Sequence, residues 1–252
     1  MSSTRRTVRV PAALLPLVAL FLLAGARPAA AGERHTVWAY PPGAGPKGAV
    51  EAETWITTKK ETSGSPTEAE YRIEIENGLT DDVSLDVYLG VFTQDPDQGL
   101  RLDRVQASLR ANLLPEKARA VLDLTGYLEV TRPIELSKPW GVEMILIGGK
   151  SWGRLSSSFN LVFESELSSQ AFRKETRELK GIATAGWEFT PRIWAGGELI
   201  VEAAPGGATE VSLGPTVSFV LTPKTWVAVG PQFGLNHDAD AFAVRAIFGI
   251  FF

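Results

Sequence analysis

Cysteine is missing from the 252 residues altogether, and only two histidines occur, His35 and His237. Disulfides and thiolate metal sites are thereby excluded. A hydrolase would have to rest its base on one of those imidazoles, and neither stands at a recognisable spacing from a nucleophile. Ser156, Ser157 and Ser158 are uninformative as a run of serines. His237 lies in Asn236-His237-Asp238-Ala239-Asp240, read as a solvated loop rather than a metal site. No catalytic residue, cofactor or metal is expected.

Positive charge is also in short supply, with 25 Lys and Arg against 29 Asp and Glu and a formal charge of −4. Four of the arginines, Arg5, Arg6, Arg9 and Arg27, precede Ala31 with no acid among them, so the 221 residues that follow carry −8. Such an acidic chain is a poor partner for nucleic acid. The third shortage is of long apolar runs. The run Val10 to Leu23 has about 14 residues, short of the roughly 20 a membrane-spanning helix needs, and Pro11 and Pro16 interrupt it. A basic start, a short apolar core and Ala29-Ala30-Ala31 are together a secretory signal peptide, with cleavage expected near Ala31. The chain thus divides into a leader (1–31), an irregular periplasmic segment rich in Pro and Gly (32–48) and a strand-forming remainder (49–252).

That remainder alternates apolar and polar residues with period two, the strand signature. Tyr71, Ile73 and Ile75 interleave with Glu70, Arg72, Glu74 and Glu76; Val83, Leu85, Val87, Leu89 and Val91 form the next apolar face. The pattern recurs up to Phe242, Val244, Phe248, Ile250 and Phe252. About twelve strands result, an even number as bacterial barrels require. Many run about 9 to 14 residues, longer than the soluble mean and enough to cross a bilayer when tilted. The fold class read from this is all-β: a transmembrane antiparallel up-and-down barrel preceded by a cleaved signal peptide. A soluble periplasmic β-protein, with its apolar stripe turned inward, is the alternative fold.

Connections alternate in length. Lys60 to Thr67, Thr93 to Gly99 and Ser165 to Lys180 are long and belong outside the cell; the turns Thr190-Pro191 and Leu221-Thr222-Pro223 are tight and belong in the periplasm. Trp194 and Trp226, just after those turns, are expected in an interfacial aromatic girdle. Gly148-Gly149-Lys150-Ser151 reads as a turn, lacking the rest of a phosphate loop. Gly214-Pro215 and Gly230-Pro231 lie symmetrically about Pro223 and are read as facing bulges.

Gly45-Pro46-Lys47-Gly48, Glu51-Ala52-Glu53-Thr54-Trp55 and the stretch Glu70 to Leu89 resemble the opening of an uncharacterised family of bacterial outer-membrane barrels. The Gly-Pro pairs and the Thr-Pro-basic-x-Trp hairpins are similar to those of the phenol-degradation-pathway (MetA-type) barrels, described as transporter-like. The resemblance implies architecture and an outer-membrane location more than a substrate. It supplies no plug or coupling box matching His35 to Pro46, so an unplugged barrel is expected.

In a barrel the face opposite the apolar stripe lines the lumen. Its candidates are Glu51, Glu53, Arg72, Glu74, Glu76, Asp86, Arg110, Asp123, Glu129, Glu143, Glu188, Glu198, Glu202 and Arg245, with Glu70, Glu164 and Glu210 on the same face. Carboxylates outnumber these bases, so they must hydrate, pair or take up protons. An open lumen makes the chain a porin-like passive channel, weakly cation-preferring, for a small cationic or neutral solute. A closed lumen makes it a structural or surface-interaction barrel. Expected partners are the lipid bilayer, lipopolysaccharide and the outer-membrane barrel assembly machinery, whose strand signal Phe248, Ile250 and Phe252 resemble.

Overall fold

The computed structural model describes residues 34–60, 68–95, 99–167, 177–203 and 207–252. The leader and the tips of the loops at 61–67, 96–98, 168–176 and 204–206 lie outside them. Twelve antiparallel strands form one closed barrel: β1 (Val50–Lys60), β2 (Glu68–Gly78), β3 (Val83–Asp95), β4 (Gly99–Asn112), β5 (Asp123–Pro133), β6 (Trp140–Trp152), β7 (Leu155–Leu167), β8 (Glu178–Thr190), β9 (Ile193–Ala203), β10 (Thr209–Thr222), β11 (Thr225–Gly234) and β12 (Phe242–Phe251). Each strand pairs with its sequence neighbours, and β1 closes on β12, Glu51 opposite Phe251. Closure leaves no strand edge without a ladder partner.

The burial pattern inverts that of a soluble protein. Ile73, Leu89, Leu109, Leu128, Leu146, Trp187, Leu213 and Phe248 are exposed on the outer wall, whereas Glu51, Glu53, Glu74, Asp86, Arg110, Glu129 and Glu198 are buried inside. In water that arrangement would expose the apolar stripe and bury charge; in hydrocarbon it satisfies both faces. Phe248 and Phe252 face outward at the end of β12, and the Phe252 N–H donates to the Val50 carbonyl at 3.0 Å.

Both tight Thr-Pro turns lie at one rim, together with the β2–β3, β4–β5 and β6–β7 connections and the chain end; the long loops lie at the other. We call these the turn side and the loop side.

Several local expectations are corrected. Gly148–Ser151 is not a turn but part of β6 near its turn-side end, paired throughout with β7 and, at Gly148 and Gly149, with β5. The Gly-Pro pairs are not bulges: Leu213↔Phe233 and Val217↔Val229 keep one register, so Pro215 and Pro231 face each other across an interruption that neither can bridge without an N–H. A true irregularity occurs in β3, where the register shifts between Tyr88 and Val91. It turns Val91 from the expected outer face into the lumen, while Leu89 stays outside. Trp194 and Trp226 are not girdle residues either, being 3% and 1% exposed within the lumen. The Trp194 indole covers the backbone of Gly186 and donates from Nε1 to Ser156 Oγ at 2.9 Å, and Trp226 Nε1 donates to Glu51 Oε1 at 2.5 Å. Aromatic rings inside this barrel act as packing, each with its N–H satisfied.

Candidate functional site

The segment before β1 runs inside the barrel. It enters from the turn side, where the Gly48 N–H donates to the Gly78 carbonyl at 2.7 Å, climbs to mid-lumen at Val37–Tyr40, and bends back so that Arg34 and His35 again face the turn side. Its prolines leave fewer backbone donors to be satisfied inside the barrel, and Gly43 takes the left-handed φ of 111° that its bend requires. Lumen side chains hold the remaining amides. Glu198 accepts the N–H groups of Val37, Trp38 and Ala39 at 2.9, 3.0 and 2.9 Å. Asn160 binds Tyr40 at both its N–H (2.6 Å) and its carbonyl (2.9 Å), and Thr125 accepts the Gly43 N–H at 2.8 Å.

The facing Gly-Pro pairs serve this docking. The Gly230 carbonyl, beside the gap in the β10–β11 pairing, accepts Trp38 Nε1 at 3.0 Å, and a Cβ on Gly230 would lie 2.5 Å from Val37 Cγ2. The strap therefore seats where the wall lacks a side chain and the β10–β11 pairing is interrupted. The expectation of an unplugged barrel is overturned: residues 34–48 fill the middle of the lumen.

Around the strap apex lies a layer of arginines and aromatic rings. The Arg34 guanidinium sits 4.4 Å from the Tyr40 and Trp55 ring centroids and pairs with Glu53 at 3.1 Å. Arg245 covers Trp38 at 4.3 Å and donates to Thr57 Oγ1 and the Val37 carbonyl. Arg110 approaches Tyr40 and pairs with Asp86 at 3.5 Å. Desolvated guanidinium–ring contacts of this kind contribute about 2 kcal/mol each. His35 stacks on Trp194 at 5.5 Å with its Nδ1 3.1 Å from Ser218 Oγ, and burial lowers its pKa from the ordinary histidine value.

Two cavities flank this layer and share no lining residue. The turn-side cavity, about 620 Å³, is bounded by Arg34, Glu51, Glu188, Arg192 and the strap prolines; the loop-side cavity, about 560 Å³, by Trp38, Tyr40, Glu70, Arg72, Glu143 and Lys180. The structure puts all fourteen of the expected lumen residues on the inner wall, but divided. Glu51, Glu53, Glu76, Arg110, Asp123 and Glu188 face the first cavity, Arg72, Glu143, Glu202 and Arg245 the second, and Glu74, Asp86, Glu129 and Glu198 lie in the sealed layer between.

The charge balance differs from the sequence estimate. Arg34, Arg104, Lys150 and Lys180 also face inward, Lys150 pairing with Asp123 at 3.3 Å and Lys180 with Glu202 at 2.6 Å. Arg34 sits in a segment without periodicity and Lys150 in a stretch with the composition of a turn, so alternation marks neither as inward. His237 is exposed, and among the described residues no group of three His, Asp or Glu is arranged to hold a metal.

Register reveals an order that composition hides. Glu51, Glu76, Asp86, Ser108, Glu129, Glu143, Glu164 and Glu178 are successive cross-strand partners on β1 through β8. This row starts near the turn side, crosses the sealed layer at Asp86, Ser108 and Glu129, and ends on the loop side.

No protein-family model and no curated protein matches the sequence. Among solved structures, the barrel is similar to an outer-membrane channel from Pseudomonas putida F1, with 15% identity, 83% of this chain and 97% of that one covered, and a TM-score of 0.59. The fold is that of an outer-membrane β-barrel. The KdgM porin aligns at 8% identity over 80% of this chain and 99% of its own, with a TM-score of 0.58. For the NanC porin the values are 6%, 81%, 99% and 0.54. At these identities the barrel shares architecture with its neighbours, and the chemistry of its lumen has to be read from its own residues.

Proposed function

We propose that the chain is an outer-membrane channel for small solutes whose resting lumen is closed by its own N-terminal strap. The observation that carries this is the pair of cavities, one toward each rim, separated by a single layer whose centre is Val37–Tyr40. A barrel needed only as a rigid surface has no use for two vestibules, each with charged side chains in its wall, aligned on a removable segment. The neighbours described as a channel and as porins support the reading, as does a leader that would deliver the chain to the outer membrane. The strap is joined to β1, and its hydrogen bonds, ring contacts and ion pair all lie outside the strand ladder, so it can leave without breaking that ladder.

The alternative of a permanently closed barrel is favoured by the density of strap contacts. Planar-bilayer recordings separate the two. The full mature protein is expected to conduct rarely, and a variant lacking residues 34–44 to conduct steadily. A variant that is folded, judged by heat-modifiable migration, and still silent would leave the closed barrel standing.

A further inference from the structure

The loop-side cavity carries its charge unevenly, a feature the channel reading does not require. In a closed barrel of twelve strands β8 stands opposite β2, so β6 to β10 form one wall of the cavity and β12 with β1 to β4 the other. The first wall brings five acids, Glu143 and Glu164 among them, and one base, Lys180, held by Glu202 at 2.6 Å. The second brings five bases and three acids. Asp240, on the connection into β12, pairs with Lys59 at 3.8 Å. The lumen is therefore polarised across its width, and the Arg72 charge is felt at Glu143 on the far side.

The basic wall also holds a charge that no carboxylate neutralises. The Arg245 guanidinium lies 4.3 and 5.3 Å from the ring centroids of Trp38 and Trp55, and that of Arg72 lies 5.5 Å from Trp55. Arg245 Nε donates to Thr57 Oγ1 at 2.9 Å and Nη1 to the Val37 carbonyl at 3.1 Å, which leaves Nη2 without a protein acceptor among the described residues. Among those residues Arg245 makes no ion pair. Glu70, across β1 from it, is already taken by Arg72 and Arg104 at 2.6 Å each. A half-buried guanidinium without its own carboxylate is a place for an anion, and its planar fork fits a carboxylate. Toward the strap the lining turns apolar at Val162, Ile182 and Ile200, and Trp38 adds its ring.

We propose that the loop-side cavity binds a small zwitterion of the ω-amino acid type. Its carboxylate sits on Arg245 beside Arg72, its ammonium turns toward Glu143 and Glu164, and its short hydrocarbon chain lies over the apolar lining. The site deepens the channel reading, on which it rests, by naming the class of solute that the loop-side vestibule collects. A solute with both charges matches both walls, whereas a plain anion meets the acids and a plain cation meets Arg245. The cavity of about 560 Å³ is of the size that small-molecule sites have.

Calorimetric titration of the full mature barrel in detergent at low salt tests it, with δ-aminovalerate as the probe and valerate and pentylamine as its two halves. Saturable binding of δ-aminovalerate is expected, with each half bound at least tenfold more weakly. Arg245→Gln is expected to weaken it at least tenfold, Glu143→Gln with Glu164→Gln severalfold, and Glu116→Gln on the turn side not at all. Should Arg245→Gln fail to fold, Arg72→Gln is expected to weaken binding severalfold. No binding, either half bound as tightly as δ-aminovalerate, or equal binding in wild type and the arginine variant that folds would overturn the site. Conductance is recorded separately. A barrel that binds δ-aminovalerate and never conducts keeps the site and loses the channel reading; one that conducts without binding it does the reverse.

Discussion

Glu198 is the residue on which the closed state turns. Its two oxygens take three consecutive backbone N–H groups, so truncation leaves three donors without a partner in a buried place. Each such donor costs about 1–3 kcal/mol. Glu198→Ala is therefore expected to shift the strap equilibrium by at least about 2 kcal/mol, roughly thirtyfold. Raised open probability and trypsin access at Arg34 would report it. Unchanged values for both would mean that the strap is held mainly by the arginine–ring layer. Gly230→Val should act in the same direction, because its side chain would occupy the place of Val37.

His35 adds a dependence on pH. Burial depresses its folded-state pKa, so the neutral ring is the one that fits, and the stability it contributes is complete above the unfolded value of 6.5 and lost as pH falls through the lower folded value. Conductance is expected to rise as pH is lowered below about 6.5, and His35→Gln to flatten that rise. A rise of equal size in the variant would assign the pH response to another group.

At the scale of elements, the strands and the strap follow different rules. A strand's inward set is fixed by alternation, but its neighbours are fixed by register, and the glutamate row exists only through register. Opposed like charges on neighbouring strands work against folding, by about 0.2–1 kcal/mol per pair, and the row sets several of them face to face. Glu143→Gln with Glu164→Gln should then raise the temperature at which the folded gel form is lost. A fall would mark the row as a hydrogen-bonded structural network. The bulge in β3 is another event at this scale: by reversing the alternation after Tyr88 it puts Tyr88 and Val91 inside together, and the Tyr88 hydroxyl lies 3.2 Å from that of Tyr40 on the strap. The same hydroxyl lies 3.4 Å from Tyr127, so the wall and the strap share one polar chain.

For the whole molecule, placing the tight turns in the periplasm orients the strap to leave on that side. Protease added to intact cells is expected to cut at Arg177, beside a long loop, before Arg192 or Lys224 in the Thr-Pro turns. The opposite order would invert the barrel and put the loop-side cavity on the periplasmic side. Selectivity should be mild. The turn-side cavity is lined by five acids (Glu51, Glu53, Glu76, Asp123, Glu188) and five bases (Arg34, Arg110, Lys150, Arg154, Arg192), so the loop-side vestibule supplies the acidic excess. Reversal potentials in a salt gradient are expected to show a small cation preference, and anion preference would contradict it.

Alternation by itself determined the barrel, because a hydrocarbon solvent imposes period two on every spanning strand, and the even strand count and the inward placement of Glu51 through Arg245 follow from that rule. It failed at Val91, where one irregularity reversed the phase, and at Trp194 and Trp226, whose indoles fold over inner-wall glycines that only strand pairing brings beneath them. The strap was illegible for a different reason. Arg34 to Gly48 carries no period, and its amides are held by Glu198, Asn160 and Thr125, each far away in sequence. Local sequence chose the faces of the strands; closing the sheet chose which distant residues meet, because a polar group inside a dry lumen takes whatever partner the register brings within hydrogen-bond reach.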